Sequence, residues 1–203
     1  MKIFTPLISF VCLLLAHAPV QAQSLRFERS IMVTDTITDE GVTFEASTDD
    51  AEQENDAIDA LFDDDLDAGW EGEPEDQNIL TVGLRFRDIY LPKGAVIDSA
   101  FLVLTSHEGK RAEDVARITI YGEATDDAQT FTEGALITGR PATGASLLWE
   151  VDEEWELWGV YRTPDLRDII QEIVDRDGWQ SGNALAMVLA GENQGPSDLE
   201  NAR

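Results

Sequence analysis

The chain has 203 residues, with 41 Asp and Glu against 14 Lys and Arg and a formal net charge of −27. Such an excess excludes nucleic acid and anionic lipid surfaces as natural partners and favours divalent cations. One cysteine, Cys12, is present, so neither a disulfide framework nor a cysteine-based metal centre is open to the fold.

Lys2, an apolar run over residues 3–16 and the exit Val20-Gln21-Ala22 have the form of a secretory signal peptide cut after Ala22. The run is shorter than the ~20 residues a spanning helix needs. No later stretch is apolar enough to span a membrane, and Cys12 lacks a lipobox. The pattern predicts an exported protein, secreted or at the cell surface or held in the periplasm, with one domain over residues 23–203.

Ile31, Val33, Ile37, Val42 and Phe44 mark one or two strands around a turn at residues 38–41. Residues 49–76 then carry fourteen acidic side chains and no basic one, which reads as a solvated, self-repelling loop unless an ion gathers it. Leu80, Val82, Leu84 and Phe86 alternate with Thr81, Gly83, Arg85 and Arg87, the period of a half-buried strand. A turn at residues 91–94, with Pro92 second and Gly94 fourth, predicts a hairpin to a strand over residues 96–104 that is apolar on both faces.

Residues 115–124 predict a strand with Ile118, Ile120 and Gly122 on one face, residues 125–142 are turn-rich, and residues 146–151 predict a short strand. Thr163 as cap, Pro164 at the first position, Asp165 near the start and Gly178 at the end frame one helix. Its stripe is Leu166, Ile169, Ile170, Ile173 and Val174, at i, i+3, i+4, i+7 and i+8. A last apolar strand covers residues 183–190. About seven strands and one amphipathic helix predict a mostly β chain, an antiparallel β-sandwich of jelly-roll kind with the helix packed on it.

STDDAE at 47–52, VGLRFRDIYLPKGAVIDSAFL at 82–102, ITIYGEATDDAQTF at 118–131, YRTPDLRDIIQEIV at 161–174 and GWQSGNALAMVLAG at 178–191 follow one another in order. In these blocks the chain resembles a family of secreted bacterial β-sandwich modules. Its plan is similar to the DNRLRE modules, carbohydrate-binding module family 96. The resemblance implies a non-catalytic module attached to other exported domains. Such modules end in an apolar closing strand that this sequence lacks. Either the chain is a fragment, the favoured expectation, with further domains of the same longer protein among its partners, or an open edge is left to pair with another chain.

Calcium is the expected cofactor, because it takes six to eight hard oxygens at flexible geometry. The candidate ligands are Asp49, Asp50 and Glu52 in the family-like block, Asp63, Asp65 and Asp67 in the acidic run, and Asp126 with Asp127 in a turn. Asp63, Asp65 and Asp67 begin like an EF-hand loop. Ala68 and Pro74 stand where its glycine and glutamate belong, so this is not an EF-hand. Aromatic rings beside carboxylates also suit pyranose faces and hydroxyls, which makes Trp70, Trp155 and Trp158 candidate sugar platforms, with Trp149 and Trp179 assigned to the core.

The expected function is attachment to a polysaccharide or cell-surface matrix. The alternative is a structural or adhesion domain of a surface protein with the same fold. Catalysis has less support, because a serine triad would depend on His107 and no G-x-S-x-G, H-E-x-x-H or phosphate loop is present. A glycoside hydrolase or lyase needs only two placed carboxylates, and that reading stays open.

Overall fold

The computed structural model describes residues 2–3, 8–16, 23–31, 38–39, 42–43, 48–61, 65–73, 76–110 and 115–192. Eleven strands and one helix carry the architecture. They are β1 (Ile8–Ala16), β2 (Gln23–Ile31), β3 (Asp50–Glu54), β4 (Ala57–Ala60), β5 (Gly69–Glu73), β6 (Asp76–Phe86), β7 (Ile97–Thr105), β8 (Ala116–Glu123), β9 (Ala142–Val151), β10 (Val160–Arg162), α1 (Arg167–Val174) and β11 (Leu185–Gly191).

The large antiparallel sheet runs β9-β8-β11-β6-β3-β4, with β5 pairing the N-terminal half of β6; the second sheet runs β10-β7-β1-β2. Alternation in β6 explains why the sheets meet. Leu80, Val82, Leu84 and Phe86 are all buried, and the last three share one core with Ala100, Leu102 and Leu104 of β7 across the sandwich. The expected mostly β sandwich is what the chain forms. Two further ladders are two residues long, and one pairs Thr38–Asp39 with Val42–Thr43 around the turn expected there. The strands expected around Val33, Ile37 and Phe44, like the acid Asp63, lie outside the described residues.

β6 and β7 are not hairpin partners. They belong to different sheets, and the link between them crosses from one layer to the other. The turn also sits one residue later than expected: Ala95 N–H donates to the Pro92 carbonyl at 3.1 Å, and Gly94 takes the third position with φ +69°. That position of a type II turn needs a positive φ, which glycine supplies without steric cost.

The helical stripe packs as its spacing requires, with Leu166, Ile169, Ile170, Ile173 and Val174 no more than 2% exposed. At about 1.5–3 kcal/mol for each large aliphatic side chain withdrawn from water, the stripe is a main stabiliser of this end of the core. The ends differ from expectation. Thr163 Oγ1 accepts from the Leu102 N–H at 3.1 Å, so it extends the ladder of β7 and does not cap. Asp165 Oδ1 receives the Arg167 N–H at 3.1 Å and ties the helix start to Ala100 at 3.0 Å. Gly178 closes nothing by a left-handed φ; a Cβ there would lie 2.0 Å from the Asp126 carboxylate.

The turn-rich residues 125–140 fold back as a cover on the outer face of the large sheet. Ala128, Phe131 and Ile137 bury a second cluster there with Ala51, Ala186 and Val188. Gly83 makes room for it, since a Cβ on that residue would meet the Phe131 ring at 2.6 Å. Arg140 holds the cover shut. Its guanidinium lies over the Phe131 ring at 4.2 Å, donates to the Gln129 and Thr130 carbonyls, and pairs with Glu123 at 2.8 Å.

The start of the acidic run is not a solvated loop. Asp50–Glu54 is an interior strand of the large sheet, with Asp50 opposite Leu84 and Glu52 opposite Val82. Residues i and i+2 of a strand share a face, so both carboxyls point to the side of the main core. No helix of the described residues is long and apolar enough to cross a membrane.

Candidate functional site

The site begins at the turn between β9 and β10. Gly159 N–H donates to the Glu156 carbonyl at 2.8 Å, closing a four-residue turn with Trp158 in third place at φ +64°. A left-handed backbone costs an ordinary L-residue about 1–2 kcal/mol, and a bulky ring makes the position unusual. The turn is held in place from below. Trp155 is 1% exposed and stacks flat on Tyr161, centroids 4.1 Å apart and planes at 1°. The Tyr161 hydroxyl accepts the Glu156 N–H at 2.7 Å. A Cβ on Gly159 would come within 2.6 Å of that tyrosine.

The strand end after β7 supplies the other support. Trp158 N–H donates to the Ser106 carbonyl and Ser106 N–H to the Gly159 carbonyl, each at 2.9 Å, while Ser106 Oγ donates to the Glu156 carbonyl. Lys110 and Trp155 exchange both backbone hydrogen bonds at 2.8 Å. The Trp158 ring is thereby presented at the surface, 52% exposed, between Leu157 at 55% and Val160 at 66%. His107 lies beside it, ring centroids 5.6 Å apart, and its Nδ1 faces Asp65 Oδ2 at 3.3 Å. An exposed indole, an imidazole and a carboxylate thus lie in sequence along one edge. Such a set can stack on an apolar ring face and exchange hydrogen bonds with hydroxyls.

Behind Asp65 the acids go underground. Asp67 N–H donates to the Glu52 carboxylate. Burial pushes the Glu52 carboxyl up to about 8; the hydrogen bond from Asp67 opposes this, while the charges of Asp67, Asp59 and Asp65 add to it. Asp50 is 2% exposed, and its Oδ1 has no hydrogen-bond partner among the described residues. Burial, then the neighbouring Asp49 charge, raises it to about 8 as well. Two carboxyls on one face of β3 are therefore held largely protonated near neutrality.

The other candidates separate. Trp155 is no sugar platform, because one face lies on Tyr161 and Trp149 closes in at 5.9 Å, leaving the ring in the core. Trp70 is half-buried on β5, opposite Ile79. Asp49 is occupied by Arg85 and by Arg87, the latter at 3.0 Å. Asp126 binds Arg176 at 2.8 Å, and Asp127 receives the Ala184 N–H at 2.8 Å. These three brace protein segments to one another. Among the described residues, no three of His, Cys, Asp and Glu converge closely enough to hold a metal ion. Trp149 and Trp179 are core residues, as expected, and Trp179 donates to the Leu91 carbonyl at 3.0 Å.

His107 and Tyr161 are the residues of this edge that the sequence reading does not place beside Trp158. The signal for Tyr161 is the aromatic density of residues 155–161, WELWGVY, which gives no hint that 155 turns in and 158 turns out, and nothing local marks His107. No family model, curated protein or solved structure matches the chain.

Proposed function

We propose that the chain is a non-catalytic exported module that attaches to a polysaccharide through Trp158, with His107 and Asp65 as its polar partners. The observation that carries this reading is Trp158 itself, a large ring projected into solvent on a strained backbone that the Trp155–Tyr161 stack keeps in place. Strain of this kind persists where the surroundings over-determine it, and it clusters at ligand-contacting positions. Native affinity electrophoresis through gels containing neutral, cationic or anionic polysaccharides tests it. Retardation in at least one gel, lost in Trp158→Ala while the unfolding midpoint is kept, is the expected result. Equal migration in every gel would sink the reading. Leu157 and Val160 beside the ring favour a second reading, an adhesion surface for another protein. Retention that survives Trp158→Ala but fails in Leu157→Ser with Val160→Thr would favour it.

Calcium belongs to the same reading. The unpartnered Asp50 Oδ1 and the buried Glu52 carboxyl supply two of the six to eight oxygens that a calcium ion takes, and backbone carbonyls and water would have to supply the rest. When bound, the ion would allow both groups to ionise. A ligand that binds the folded state raises the unfolding midpoint with its concentration. Calcium is therefore expected to raise the midpoint in the parent chain and not in Asp50→Asn. An unchanged midpoint in the parent up to millimolar calcium would remove the ion from the account.

A further inference from the structure

Strand β1 occupies an interior place in the second sheet. Its residues pair with β7 on one side (Ala100↔Cys12, Leu102↔Phe10) and with β2 on the other (Phe27↔Cys12, Arg29↔Phe10). The same residues form the apolar run of the signal peptide read from the sequence. Export and cleavage after Ala22 would take an inner strand out of the sheet. The inward residues of β7, Ile97, Ala100, Leu102 and Leu104, are no more than 5% exposed, and one flank of that strand would then face water with its backbone unpaired. An open edge of this length is a ready template for pairing.

We propose that β1 is a place-holder in the precursor and that, in the processed chain, β2 moves over by one strand position to pair directly with β7. Three features favour β2 as the occupant. It is already one place away, a displacement of about 4.8 Å. Its sequence places Leu25, Phe27 and Ile31 on one face, with Arg29 the one charged residue among them, and the polar Ser24, Arg26, Glu28 and Ser30 on the other. Its register fits at two of three positions: Phe27 and Leu25 share Cα lines through β1 with Ala100 and Ile97, while Arg29 falls on the line of Leu102 through Phe10 and would have to carry its charge past the core to solvent along its aliphatic stem. β1 is antiparallel to both neighbours, so the new β2–β7 pair is parallel, a pairing that mixed sheets accommodate. The inference rests on the leader reading and adds to it a second structural state.

Without the leader the chain has no cysteine, so engineered pairs report distance cleanly. Arg26 and Ser99 both lie opposite Leu13, on its two sides. With β1 between them their Cα atoms are roughly 10 Å apart, beyond reach of a disulfide; as direct neighbours they come within the roughly 4.4–6.8 Å a disulfide spans. The full chain carrying Cys12→Ser, Arg26→Cys and Ser99→Cys is expressed with export and, separately, retained with its leader, and both are oxidised after purification. The expected result is an intramolecular disulfide in the processed chain and none in the retained one. The pairs Glu28→Cys with Phe101→Cys and Arg26→Cys with Phe101→Cys cover neighbouring registers. Hydrogen exchange on the cysteine-free processed chain is expected to show β7 amides protected throughout. Fast exchange along β7, or disulfides only between two chains, overturns the proposal. An exported protein whose intact mass still includes residues 1–22 overturns the leader reading instead.

Discussion

Trp158 joins an unfavourable backbone to an exposed ring, and the two can be separated by substitution. Glycine at this position removes the left-handed penalty together with the ring. Trp158→Gly is expected to raise the urea midpoint by the equivalent of about 1 kcal/mol while abolishing retention on polysaccharide gels. A lower midpoint would mean that the ring's contact with His107 outweighs the backbone strain. Trp155, three residues earlier in the same acidic stretch, has the opposite fate. Its neighbours in sequence do not distinguish it from Trp158; the stack on Tyr161 does, and Tyr161 is placed by the pairing of β10 with β7. This is why the inward and outward tryptophans could not be told apart from the sequence.

At the scale of elements, legibility followed the chemistry of the buried face. β6 was readable because four apolar residues alternate along it, and α1 because its stripe is aliphatic at helical spacing. β3 was not, because DAEQE has no apolar alternation and its carboxyls look like solvent-facing groups. The helix cap was misplaced for a related reason, since Thr163 makes its hydrogen bond to a strand outside the helix. The cost of β3 should show in pH dependence. Asp50 and Glu52 have ordinary values of 3.8 and 4.5 and are raised to about 8 in the fold. Between those limits the folded state holds protons that the unfolded chain has released, so stability falls as pH rises from about 4 to 8. In chelator, Asp50→Asn with Glu52→Gln is expected to flatten that fall and to be more stable than the parent at pH 8 by roughly 1–3 kcal/mol. Urea midpoints at pH 5 and pH 8 measure it. Parallel curves for parent and variant would mean that neither carboxyl is held protonated.

For the whole molecule, two layers and a cover divide the surface into unlike regions. The large sheet is buried on both sides around Gly83, by the sandwich core on one side and by residues 125–140 on the other. The exposed aromatic edge is built at the end of the second sheet, where β10 pairs β7, away from that cover. A net charge of −27 surrounds it. Anionic polymers meet long-range repulsion from such a field, and neutral or amine-bearing ones do not. The order of strands has a consequence in time. β11, the last strand of the described residues, lies between β8 and β6 and supplies the ladder hydrogen bonds that join the two halves of the large sheet. Until residues 185–191 have left the ribosome, the ladder between those halves is open, and the earlier strands emerge without a completed layer to dock on. Long-range pairing of this kind forms late. A chain arranged so completes its large layer only with its last described strand, which couples the finishing of the fold to the end of synthesis of that segment.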